Sequence, residues 1–205
     1  QTTAESLLDR RTEEMTDKDP ALRNLIREYH DGLLLYEISN RMVWDKAAKD
    51  DKGLAAYFKK NRKKYKWTEP RFKGIAYNCK DAADVEAVKL ALKKVAFAEW
   101  ADTLRKQFND STLRIKVVKG IFKKGDNAMV DHDVFGKDTT YKAPNGYEHA
   151  ATYGTVMKQP KTFEDVRELV VADYQEQLEK EWVEALRRKY PVVLNEEIIA
   201  TVNKH

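Results

Sequence analysis

Cysteine is almost missing: Cys79 is the single one in 205 residues, which rules out an internal disulfide and any metal site built from several thiolates. Long apolar runs are missing too. The longest candidates, such as Leu33–Tyr36, are soon broken by charge and fall far short of the roughly 20 residues that span a bilayer. Glycine is scarce outside one region, since five of the eight fall between Gly120 and Gly154, which marks that stretch as rich in loops and short elements. Neither sign of charge dominates, with 38 basic against 34 acidic side chains and a net charge of +4. That balance speaks against a dedicated nucleic-acid binder. The sharpest basic run, Lys59–Lys66, sits at the end of an expected helix, where cations suit the helix dipole. Residues Gln1–Arg11 lack the basic start and apolar stretch of a secretory signal, so an export signal is expected to lie outside this sequence.

What is present is enough apolar material, 42% of residues, for one large domain or two small ones. Asp19-Pro20 reads as a helix start. The apolar positions Leu22, Leu25, Ile26, Tyr29, Leu33, Tyr36, Val43 and Trp44 recur at helical steps and predict one continuous helix, too long for a small domain to cover. Asp51 is expected to cap a shorter helix through Tyr65. Pro70 then breaks the pattern, and Phe72–Tyr77 alternates as a strand. Two helices over Ala82–Lys94 and Phe97–Phe108, a strand around Leu113–Val118, and a last strand over Ala150–Met157 come next. Thr162 and Asp165 resemble a capping box that opens a helix to about Lys189, with the stripe Phe163, Val166, Val170, Tyr174, Leu178, Trp182 and Leu186. Two long helices with uncovered stripes suggest each other as partners. Pro191 stops the second, and Asn195 is expected to cap a terminal helix through Val202.

Several phrases in this order resemble the SurA/PpiC class of folding factors, in which a parvulin-type prolyl isomerase domain is inserted into a helical chaperone module. Leu54-Ala55-Ala56-Tyr57-Phe58-Lys59-Lys60-Asn61 through Tyr65 is similar to the helix that precedes the first parvulin strand. Asp81–Val95 followed by Phe97-Ala98-Glu99-Trp100-Ala101 is similar to the family's helix pair. Lys119–Gly125 with Met129-Val130 is similar to its "L-G-W-F-x-x-G-x-M-V" segment, and Thr162–Tyr190 with Pro191-Val192 to its closing helix and strand. The match runs from about Pro20 to Val193. It implies an α+β fold with a helical chaperone-like module (residues 1–66 and 161–205) flanking a small mixed α/β parvulin-like domain (67–160). It also implies a periplasmic setting, and unfolded or extended polypeptides as partners.

Prolyl isomerisation must lower a barrier of roughly 18–20 kcal/mol by favouring a twisted imide over a planar one. An apolar shelf for the proline ring and preorganised polar groups around the rotating carbonyl suffice. The resemblance supplies a histidine in the first strand, a second before the last, and a methionine–phenylalanine shelf. Here Gly74 stands at the first histidine position, and Asn145-Gly146-Tyr147-Glu148-His149 resembles the family's "G-Y-H" with one residue inserted. His149 is therefore the one catalytic candidate, with the exposed-turn reading beside it. Phe122, Met129, Phe135 and Tyr147 are the substrate-binding candidates. Asp131-His132-Asp133 cannot aim three adjacent ligands inward, and no metal or cofactor is expected. The leading expectation is a binding module with a degenerate isomerase site. The alternatives are an active prolyl isomerase and a structural half that dimerises through its long helices.

Overall fold

The computed structural model describes residues 3–137 and 140–202. In chain order it contains α1 (Thr3–Lys18), α2 (Pro20–Ser39), a π-helical stretch (Asn40–Trp44), α3 (Asp45–Lys49), α4 (Asp51–Asn61), β1 (Arg71–Cys79), α5 (Ala82–Leu92), α6 (Trp100–Phe108), β2 (Ile115–Phe122), α7 (Ala128–Asp133), β3 (His149–Met157), α8 (Arg167–Lys189) and α9 (Glu196–Val202). The fold is α+β, mostly helical with one three-stranded antiparallel sheet in the order β2-β1-β3. No described helix is long and apolar enough to cross a membrane. The chain divides into two compact units, one made of residues 1–60 and 167–205 and the other of 61–166. The second unit reaches further out than the sequence boundaries at 67 and 160 because its ends clasp each other. Arg62 donates to the Pro160 carbonyl, the Trp67 amide donates to Gln159 Oε1 at 2.9 Å, and Gln159 Nε2 donates to the Trp67 carbonyl at 3.0 Å.

In the first unit, Asp19 caps α2 by accepting from the Ala21 and Leu22 amides, as its position before Pro20 requires. The expected single helix to Trp44 is interrupted by the π-helical turn at Asn40–Trp44, whose wider winding rotates α3 relative to α2. The consequence is a division of labour along the stripe. Val43 and Ala47 are buried, and their segment packs against α8, whereas no described residue of α2 is buried. The two long helices are thus not each other's cover over their full lengths. Val170, Tyr174 and Leu178 of α8, spaced one turn apart, are consumed by the buried half, while Leu186 stays exposed. The helix also starts later than its stripe suggests, since Phe163–Val166 forms a 3-10 turn. Asp165 there accepts from the Lys161 and Thr162 amides.

The start of α4 is held by Asp50, not by Asp51. Asp50 Oδ1 accepts from the Gly53 amide at 2.9 Å, and its Oδ2 accepts from the Tyr174 hydroxyl at 2.8 Å. The Gly53 amide, then the tyrosine hydroxyl, holds the Asp50 carboxyl below the usual carboxylate range. Its contribution is therefore complete above the unfolded-state value and lost as pH falls through the folded one. The Tyr174 hydroxyl is pushed up to about 12 by burial and then by Asp50, so its contribution is complete below its ordinary value of 10.0 and lost as pH rises toward 12. Tyr174→Phe is expected to cost about 1–3 kcal/mol at neutral pH and to flatten the alkaline loss of stability, as read from urea unfolding at neutral and alkaline pH.

Candidate functional site

The sheet of the second unit separates two apolar clusters, because side chains alternate across strands and directly paired residues share a face. On one face Ile75, Tyr77, Cys79 and Ile115 pack against Val88 and Leu92 of α5 and Trp100, Leu104 and Phe108 of α6. On the other, Phe72, Ala76 and Phe122 meet Met129 and Val130 of α7, with Val134, Phe135 and Tyr141 laid against them. This second face is the one on which the resemblance would put a proline-binding shelf.

The described residues of the stretch expected to be loop-rich include a cap over that face. Asn127 starts α7 by accepting from the Met129 and Val130 amides at 3.0 and 3.1 Å, an N-cap signal the sequence reading did not use. Asp131, buried, accepts from the Gly125 amide at 2.8 Å and pairs with Lys137. Beside it, Asn78 is buried on β1. Its Oδ1 accepts from the Tyr141 hydroxyl at 2.7 Å, and its Nδ2 donates to the Tyr147 carbonyl at 3.2 Å. The cap is thus tied to the sheet by polar bonds inside an apolar setting, where each unmade bond would be costly.

A row of glycines crosses the sheet under the cap. Gly74 of β1 pairs with Gly120 of β2 on one side and Gly154 of β3 on the other. The Phe72 and Phe122 rings stack with centroids 6.4 Å apart and lie down over this row. A Cβ on Gly74 would stand 2.4 Å from the Tyr153 carbonyl oxygen and 2.6 Å from Phe72 Cζ. A Cβ on Gly154 would meet the Lys73 carbonyl oxygen at 2.4 Å and the same ring at 2.8 Å. The row is therefore a close approach of strand to strand and ring to sheet, and the place where a side chain at Gly74 would stand is filled by Phe72.

The sequence-derived candidates are not brought together as an open pocket. His149 pairs with Cys79 at the far end of β3, five residues from Gly154, or roughly 17 Å along a strand. It is exposed, and it shares the face of Cys79 rather than that of Phe122 and Met129. Phe122 and Met129 are core residues, 7% and 4% exposed, and Phe135 is half-buried against them. Tyr147 is buried as a brace: its hydroxyl donates to the Leu113 carbonyl at 2.9 Å, and the Lys116 ammonium sits 4.3 Å from its ring centre. His132 is exposed on α7 beside Asp133. Phe122→Ser or Met129→Ser is consequently expected to cost about 2–5 kcal/mol of stability, which a thermal melt will read directly. The sequence reading missed Phe72, Asn78 and Tyr141. Only Phe72 carried a signal, as an alternating strand position next to Gly74.

Cys79 belongs to the opposite face and is fully buried, its thiol pushed up to about 11 by that burial and then by Asp84. Alkylation of Cys79 is expected to follow the opening of the sheet, because the folded thiol is both covered and held protonated. Iodoacetamide labelling rates across a urea series will show it.

As built, this face carries no imidazole or thiolate over the shelf among the described residues, and its polar side chains Asp131, Asn78 and Tyr141 are bonded within the cap. Its open apolar surface is the exposed pair Val118 and Val156 beside the two rings. No family model, curated protein or solved structure matches the chain.

Proposed function

We propose that this chain is a polypeptide-binding folding factor of the SurA/PpiC parvulin type, working in the periplasm, whose isomerase site is packed shut and whose client surface is helical. The element order supports it: long helix, short helix, strand–helix–helix–strand–short helix–strand, and a returning long helix. The reading is carried by one observation above the others. α2 runs for 20 residues without a buried side chain while presenting Leu25, Ile26, Tyr29, Leu33, Leu34, Leu35 and Tyr36 to solvent, with Tyr29 73% exposed. An exposed apolar surface of that kind marks an interaction site, and a mobile client segment can use it with modest affinity because no pocket shape is demanded.

The same reading assigns no rate enhancement to the shelf. Without a polar group that gains strength in the twisted imide, an apolar surface binds ground and transition states alike. The test pairs two assays: the cis-to-trans rate of an X-Pro tetrapeptide series, and the aggregation of an unfolded client protein. The expected result is an unchanged isomerisation rate with clear suppression of aggregation. Acceleration that vanishes in His149→Ala would instead establish an active isomerase using that imidazole, and absence of any suppression would end the client-binding reading.

A further inference from the structure

The face of the sheet opposite the shelf carries a second feature that the proposed client surface on α2 does not use. β2 is an edge strand with a neighbour only on the β1 side, so half of its backbone donors and acceptors point away from the sheet; those of Ile115 are held by the Asn109 side chain, which leaves the stretch from Val117 onward for a partner. Beside that edge lies a groove of about 430 Å³, lined by Leu104 of α6, Leu113, Ile115 and Val117. The volume falls in the range of ordinary ligand sites. The cations that face it are Arg105, paired at 3.4 Å with Asp102 on its own helix, and Lys119; Lys116 also lines it, but its ammonium lies over the Tyr147 ring on the other face of the sheet.

These features select one kind of occupant. A strand added outside β2 would send every second side chain toward α6, into the groove, and the main-chain bonds of the edge would fix its path. Arg105 and Lys119 favour an acidic side chain in that strand. They also disfavour a second copy of β2, which would set lysine against lysine across the new pair. The Lys119 ammonium donates to the Ala98 carbonyl at 3.0 Å and lies 4.6 Å from the Phe97 ring centre, and burial, then the neighbouring Lys73, holds it below the usual lysine range, so an added carboxylate would be favourable there. We propose that the outer edge of β2 takes up an extended polypeptide segment by strand addition, seating apolar side chains in the groove beside α6 and an acidic one against Arg105 and Lys119. This site is separate from the α2 surface, so either can fail without the other.

The probe is a fluorescein-labelled seven-residue peptide with valine at its second and fourth positions, glutamate at its sixth and threonine elsewhere, which puts valines and glutamate on one face of a strand. Binding is followed by anisotropy, and amide exchange of β2 by NMR. The expected result is slowed exchange on β2, binding about tenfold tighter than that of the lysine-for-glutamate peptide, and loss of binding when alternate peptide nitrogens are methylated. Arg105→Glu should reverse the charge preference at an unchanged melting temperature, since its side chain is 67% exposed, and Arg105→Gln provides the same reading in weaker form if the reversal unfolds the protein. Equal binding of the two charge forms, insensitivity to methylation, protection on β3 instead of β2, or self-association of the protein that the charge reversal abolishes would each overturn the proposal.

Discussion

Gly74→Ala is expected to lower the unfolding free energy of the sheet-bearing unit by about 3 kcal/mol, the upper part of the range for overpacked cores. The added methyl meets a backbone oxygen of β3 at 2.4 Å and the Phe72 ring at 2.6 Å, and neither yields without moving a strand. Gly154→Ala should cost a similar amount for the same reason. Gly120→Ala should cost far less, because its methyl meets only the far end of the Phe122 ring at 3.3 Å, which can shift by a few tenths of an ångström. Urea unfolding of the three variants orders them, and equal effects would mean that the glycine row is not a close approach. The functional corollary is sharper. Gly74→His places an imidazole where the parvulin resemblance would put one, yet it should give no isomerase activity, since the space above the strand already holds Phe72 and the histidine Cβ repeats the alanine clash.

Tyr29→Gln with Leu33→Gln is expected to raise at least tenfold the protein concentration needed to suppress client aggregation, while changing stability by no more than about 0.5 kcal/mol. Glutamine keeps good helix propensity, and both native side chains are exposed, at 73% and 62%, so folding loses little. A client that covers them loses apolar contact worth about 1.5–3 kcal/mol per side chain when burial is complete, and each 1.4 kcal/mol is about a factor of ten in affinity. Unchanged suppression at unchanged stability would move the client surface off α2. If size exclusion instead finds a concentration-dependent larger species that the double variant abolishes, the stripe is an interface between copies.

Where the sequence is legible, a local rule coincides with the tertiary outcome. Asp19-Pro20 and Asn195 start helices as capping chemistry dictates. The alternation of Phe72–Tyr77 lies within β1, which runs Arg71–Cys79. Its two faces are nonetheless both buried, something alternation of apolar and polar types cannot announce when the covering elements come from distant sequence. The helix through Trp44 misleads for a related reason: the spacing of Leu33, Tyr36 and Val43 is compatible with one stripe, and only packing of Val43 and Ala47 against α8 selects the π-helical turn. Phe122 and Met129 stand out in the sequence as apolar residues without periodicity in a loop-rich stretch. Such residues line a groove or fill a core, and the outcome rests on Asn127 and Asp131, whose hydrogen bonds order α7 and close it over the sheet.

The first unit is discontinuous, its halves separated by residues 61–166, and this has a consequence for the order of events during synthesis. Val43 and Ala47 leave the ribosome long before α8, against which their segment packs. At ordinary elongation rates of roughly 5–20 residues per second, the N-terminal helices wait for about 5–20 s while the whole sheet-bearing unit is made. Once Met157 has emerged, the sheet-bearing unit has all three strands of its sheet, whereas the helical unit still lacks α8. A nascent chain whose first 166 residues have cleared the ribosome would therefore carry a completed sheet beside a helical unit with Val43 and Ala47 still uncovered.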